Sequence, residues 1–123
     1  MGIFDKLFGP TKQVHPTRVR TMDDFEKLVL DSKEPVIVDV WSASCAPCRM
    51  LEPILIDIAT RYEGRVRVVE IGTADTEPQL LGSLEVRATP TLIMFKEGEE
   101  IGRTAGHRPA GWFDQMIATE FGV

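Results

Sequence analysis

The chain has 123 residues, 43% of them hydrophobic and 27% charged, which fits one globular domain and leaves little room for a second. Lys and Arg number 14 against 19 Asp and Glu, a formal charge of −5, and no basic run forms the phosphate-binding stripe that a nucleic-acid partner needs. The longest apolar runs, such as Thr91 to Phe95 and Val36 to Val38, fall far short of the roughly 20 residues that carry a helix across a bilayer.

The opening segment, MGIFDKLFGP, lacks a basic start, and Asp5 and Lys6 interrupt its apolar residues. It therefore does not read as a secretory signal, and the expected compartment is the cytoplasm. Lys6 stands where a myristoylation pattern wants Ser or Thr. Ile3, Phe4, Leu7 and Phe8 recur at helical spacing before Gly9-Pro10, which predicts a short amphipathic helix over residues 2–8. Such a helix either frays, packs on its own domain or docks on a partner or membrane surface. Residues 9–17, with Gly9, Pro10 and Pro16, read as a linker, so the expected organisation is an extension over 1–16 and a domain over 17–123.

Thr21-Met22-Asp23-Asp24-Phe25 opens a helix with Thr21 as N-cap, acids in the first turn, and Phe25, Leu28 and Val29 on one face. Pro35 ends the following loop. Val36 to Trp41 reads as a buried strand in which Asp39 is the single charge, out of place unless it is used. From Cys45 the pattern turns helical, with Met50, Leu51, Ile54, Leu55 and Ile58 forming an apolar stripe to about Tyr62; Pro53 is expected to kink it and Gly64 to close it. Val66 to Ile71 is a further strand, Pro78 to Leu84 a short helix, and Thr91 to Lys96 a strand. Glu97-Gly98-Glu99 turns into a strand over Glu100 to Ala105, and Pro109 to about Phe121 forms a closing helix. This order predicts an α/β domain, a central mixed sheet with helices on both faces.

A chain of this size buries roughly two thirds of the surface its unfolded form exposes and needs no disulfide or structural metal to fold. Its two cysteines therefore invite a chemical reading. Cys45-Ala46-Pro47-Cys48 sets two sulfurs at i and i+3 on the first turn of the long helix, where Cβ atoms lie roughly 5 to 6 Å apart. Small adjustment allows a disulfide. Cys45 sits at the helix start, where free N–H groups and the helix dipole favour a thiolate, so it is the expected nucleophile, with Cys48 resolving. Three other readings compete. Half a zinc or iron-sulfur site would need further ligands, and His15 and His107 match no familiar spacing. A static disulfide suits neither a cytosolic chain nor so small a loop, and inert buried thiols do not suit a helix start.

These residues closely resemble the thioredoxin family. The matching pieces are Val38-Asp39-Val40-Trp41, Cys45-Ala46-Pro47-Cys48-Arg49, Pro53 within the helix, Ala88-Thr89-Pro90-Thr91-Leu92 entering a strand, and Gly106 after the hairpin. The resemblance covers about residues 17–123 and implies the thioredoxin fold. It also implies a cis bond before Pro90, with that proline against the cysteine pair and the Thr89 backbone pairing with a substrate strand. Asp39 resembles the family's buried aspartate beneath the pair, which exchanges a proton with the resolving thiol; burial is expected to raise its pKa. Trp41, Ala46, Pro47, Thr89, Pro90 and Gly106 form the implied substrate surface. Trp41 reads equally as core packing, and Gly106 nearly as well as a turn glycine. His107 and Arg108 flank that glycine.

Three departures stand out. Ser44 replaces the usual tryptophan before the first cysteine, Ala46 replaces glycine, and Glu70 falls about where a lysine is common. If Glu70 lies beside Asp39, its charge disfavours the aspartate's ionised form. The function expected from the resemblance is protein-disulfide reduction that uses no cofactor or metal beyond the Cys45–Cys48 couple and is recharged by a flavoprotein reductase; no long apolar surface stripe demands a dimer, so a monomer is expected. A specialised oxidant or isomerase with one dedicated partner, and a non-catalytic docking module on the same fold, are the alternatives.

Overall fold

The computed structural model describes residues 12–123. The helix expected over residues 2–8 lies outside the described residues. Five strands form one sheet in the order β1-β3-β2-β4-β5, with β1 at Thr17–Arg18, β2 at Val36–Trp41, β3 at Arg67–Gly72, β4 at Thr91–Lys96 and β5 at Glu99–Ala105. β1 and β2 both run parallel to β3, whereas β4 is antiparallel to β2 and β5 to β4. The mixed α/β sheet expected from the sequence is thus present.

Strand β2 is central, and Val36 to Val40 are buried. One face carries Ile37, Val68 and Leu92 against Leu51, Leu55 and Ile58 of helix α2 (Ala46–Arg61) and Phe113 and Ile117 of the closing helix. The other carries Val36, Val38, Ile93 and Phe95 against Phe25, Val29, Leu80 and Leu84. Phe25 and Phe95 meet edge to face, with ring centroids 5.6 Å apart. Apolar burial on both faces explains why β2 reads as a continuous hydrophobic run rather than an alternating one.

The first helix, α1, starts as an α-helix at Met22–Phe25 and widens to π geometry over Glu26–Leu30. Its N-cap is the expected one: Thr21 Oγ1 accepts a hydrogen bond from the Asp24 amide at 3.0 Å. α3 spans Pro78–Leu84. The closing helix, α4, covers Ala110–Met116 and again ends in a π turn, Ile117–Phe121, with Pro109 as N-cap.

Three local expectations need correction. Thr17, assigned to the linker, begins β1, because Thr17 and Arg18 pair with Val69 and Glu70 of β3. The strand expected over 66–71 is shifted by one residue, since the Val66 amide is engaged by the Tyr62 carbonyl at the end of α2. Glu99, expected in the turn, pairs with Lys96 as the first residue of β5. α2 runs on as helix past Pro53; the proline removes one amide donor, and the apolar stripe on either side stays packed on the sheet.

Candidate active site

Helix α2 begins where β2 ends, and a short loop over residues 42–45 delivers Cys45 to its N-cap. Cys45 is extended, at φ −99° and ψ 105°, and its Sγ accepts the Cys48 amide at 3.2 Å. A sulfur thus takes the capping role that a Ser or Asp oxygen usually fills. Pro47 suits the first turn because its missing N–H would have had no helical partner. Cys45 and Cys48 are joined as a disulfide with Cα atoms 5.3 Å apart, within the usual range. Cys48 is buried at 5% exposure, while Cys45 is half-buried and Ala46 and Pro47 are exposed. The more accessible residue of the pair is the first one.

The loop before Cys45 is held from several sides. The Cys45 amide donates to the Ser42 carbonyl at 3.3 Å, and Arg49 Nη1 donates to the Ala43 carbonyl at 3.1 Å. Ser42 Oγ and Thr89 Oγ1 share a hydrogen bond of 2.8 Å. Thr89 directly precedes Pro90, and their peptide bond is cis, as the resemblance implies. The Gly106 amide in turn donates to the Pro90 carbonyl at 2.8 Å. One chain of contacts therefore runs from Cys45 through Ser42, Thr89 and Pro90 to Gly106. Gly106 has φ +92°, and an added Cβ would meet only Arg108 Nη1 at 3.9 Å. Backbone geometry thus accounts for the glycine as a turn, and the space above it is open. Arg108 is turned inward, donating to Thr104 Oγ1 and to the His107 carbonyl.

Behind the cysteines lies a cleft of about 320 Å³ lined by Cys48, Asp39, Trp41, Glu52, Glu70 and Arg18, among others. Asp39 is 5% exposed, and its Oδ1 has no hydrogen-bond partner among the described residues. Its pKa is raised to about 7, first by burial, then by the charges of Glu70 and Glu52. The register sets Asp39 directly beside Glu70, so the position that the resemblance associates with a lysine holds an acid next to the buried aspartate. Trp41 is both wall and packing. It lines the cleft, and its indole lies against Gly72, where an added Cβ would come within 2.9 Å of Cζ2.

Sequence reasoning missed Arg18. Its Nε donates to Glu70 Oε1 at 2.8 Å and its Nη1 to Asp75 Oδ2 at 2.9 Å, while its guanidinium lies 4.8 Å from the Trp41 ring centroid. The only local signal was the alternation Thr17-Arg18-Val19-Arg20 around the buried Val19, too short to identify a strand. Glu52 was missed for a related reason: on an otherwise exposed helix face it looks like an ordinary solvated charge.

A half-buried cysteine on a helix N-cap, a buried one a turn on and a buried carboxyl in the same cleft as the second define a dithiol–disulfide exchange centre on an α/β scaffold. A family profile described as Thioredoxin matches residues 16–119. The chain is 39% identical to "Thioredoxin 1" of Nostoc sp. over 97 residues, covering 79% of this chain and 90% of that one. It is 36% identical to "Thioredoxin C-2" of Corynebacterium nephridii over 106 residues, 82% of this chain and 97% of the relative. To the chloroplastic "Thioredoxin M-type" of Pisum sativum it is 31% identical over 111 residues, 90% and 64% of the two chains. The chain belongs to the thioredoxin family. It has the thioredoxin fold and is a thiol–disulfide oxidoreductase that reduces protein disulfides through a redox-active disulfide of its own. No described helix is long and apolar enough to cross a membrane.

Proposed function

We propose that Cys45 is the attacking sulfur, Cys48 the resolving one and Asp39 the group that takes the resolving proton. In the reduced protein the Cys45 thiolate attacks one sulfur of a substrate disulfide. The substrate S–S bond breaks, one substrate sulfur leaves as a thiolate, and a mixed disulfide to Cys45 forms. Cys48 then gives its proton to Asp39 and attacks Cys45 Sγ. The mixed disulfide breaks, the second substrate sulfur leaves and is protonated, and the protein is left with the Cys45–Cys48 bond. Two electrons pass from the protein dithiol to the substrate disulfide.

The observation that carries this reading is the N-cap contact, Cys48 N–H to Cys45 Sγ at 3.2 Å. An amide aimed at that sulfur, together with the helix dipole, favours the anion at Cys45. Asp39 and Cys48 line the same cleft of about 320 Å³, which has room for water to relay a proton between them. A carboxyl with a pKa of about 7 is suited to accept and return a proton near neutrality.

Thr89, Pro90 and Gly106, with Trp41, Ala46 and Pro47, form the docking surface in this proposal: the Thr89 backbone pairs with an extended substrate segment, and the open space over Gly106 admits it. A flavoprotein reductase returns the two electrons, and the protein works as a monomer in the cytoplasm. The test is insulin reduction with dithiothreitol as electron source. Activity in the wild type that disappears in Cys45→Ser supports the assignment; full activity in Cys45→Ser overturns it.

A further inference from the structure

The sheet sets two acids side by side, one buried and one half-buried. Asp39 of β2 and Glu70 of β3 are register partners, and Arg18 of β1 is the partner of Glu70 on the other side. Paired positions share a face, so Arg18, Glu70 and Asp39 form one row running from the sheet edge to its centre. Like charges directly opposite each other are unfavourable, and more so where water is excluded. A cation paired with Glu70 offsets that repulsion, and β1 supplies it.

The other groups facing Asp39 cannot do so. Helix α2 contributes Cys48, Glu52 and Arg49 to the cleft, but the Arg49 guanidinium is turned to the Ala43 carbonyl. Strand β4 contributes Leu92 as the register partner of Asp39, which carries no charge. Arg18 is fixed from three directions: Glu70 at 2.8 Å, Asp75 at 2.9 Å, and the Trp41 ring at 4.8 Å. Arg20 holds the same Asp75 oxygen at 3.1 Å, so Arg18 is clamped between two acids rather than free to swing away.

We propose that Arg18 is a positioning residue for the proton step at Cys48: by holding and neutralising Glu70, it limits the negative charge that the sheet places beside Asp39. The proposal rests on the proton role of Asp39 given above. Where the resemblance associates a lysine with the position of Glu70, this chain has an acid, and the positive charge comes one strand further out. The short strand β1 thereby becomes part of the redox machinery without touching a sulfur.

The test follows the Asp39 carboxyl by infrared titration of the full-length oxidised protein, its C=O band identified by its loss in Asp39→Asn. In Arg18→Gln the midpoint moves up by about half a unit to one unit. In Arg18→Lys, which keeps the charge, it stays near the wild-type value. Glu70→Gln moves it down, and in that background Arg18→Gln no longer shifts it. A midpoint unmoved by Arg18→Gln, or moved as far with Glu70 absent as with it present, overturns the proposal. Insulin reduction against pH separates the two layers of the account. If Asp39→Asn leaves that profile unchanged, the proton role falls and the proposal with it. If Asp39→Asn changes the profile while Arg18→Gln leaves the carboxyl midpoint alone, only the role of Arg18 falls.

Discussion

Ser42 Oγ and Thr89 Oγ1 lie 2.8 Å apart, and through that one bond the loop that carries Cys45 is tied to the residue before the cis proline. The two residues are 47 positions apart in the chain, and their contact is where the sulfur end of the site and the loop proposed to dock substrate are held together.

Ser42→Ala leaves the Thr89 hydroxyl without this partner. A typical net hydrogen-bond contribution of about 0.5 to 1.5 kcal/mol predicts a rise in KM for protein disulfides of about two- to tenfold. The kcat is expected to change less than about twofold, because no reacting atom is touched. Steady-state insulin reduction measures both, and an unchanged KM would remove the hydroxyl pair from substrate docking.

Asp39 makes stability depend on pH with an unusual sign. Its carboxyl pKa is raised from the ordinary 3.8 to about 7 in the folded protein. Below about pH 4 the carboxyl is protonated in both states and adds no pH dependence. Between about pH 4 and pH 7 the unfolded chain releases the proton and the folded one keeps it, so folding stability falls as pH rises; above about pH 7 both forms are ionised and the loss is complete. The ceiling on that loss is roughly 4 kcal/mol. Asp39→Asn removes the titration, so its stability advantage over the wild type grows from pH 4 to 7 and is then level. Urea unfolding of the two oxidised proteins across that range checks this, and a constant difference would contradict it.

Two glycines are expected to respond with opposite signs. Gly106 has φ +92°, and Gly106→Ala is expected to cost about 1 to 2 kcal/mol, since an L side chain is strained there. Gly82 lies inside α3 with no atom within 4 Å of an added Cβ, and Gly82→Ala is expected to add about 0.5 to 1 kcal/mol of helix propensity. Thermal unfolding midpoints moving down for the first and up for the second are the expected result.

Much of this architecture was legible because it is periodic. The run Val36 to Val40 announces a strand covered on both faces, and the stripe Leu51, Leu55, Ile58 announces the helix against it. The Cys45 cap follows from its place at the start of that stripe. The cis bond before Pro90 came through the resemblance alone, since spacing does not distinguish the isomers. The row from Arg18 to Asp39 was out of reach: it depends on a strand of two residues pairing with a partner 52 positions away, and no local pattern encodes a contact of that kind. Glu70 was suspected as a neighbour of Asp39, but the parallel register that makes it one is a property of the assembled sheet.

The most direct test of the exchange mechanism is covalent trapping. Full-length Cys48→Ser, reduced and then mixed with oxidised insulin, is predicted to accumulate a mixed disulfide mapped by mass spectrometry to Cys45, because the sulfur that would release the substrate is gone. Cys45→Ser should accumulate little, since its remaining sulfur at position 48 is buried. Adducts on Cys45→Ser and none on Cys48→Ser would contradict the assignment of the two sulfurs.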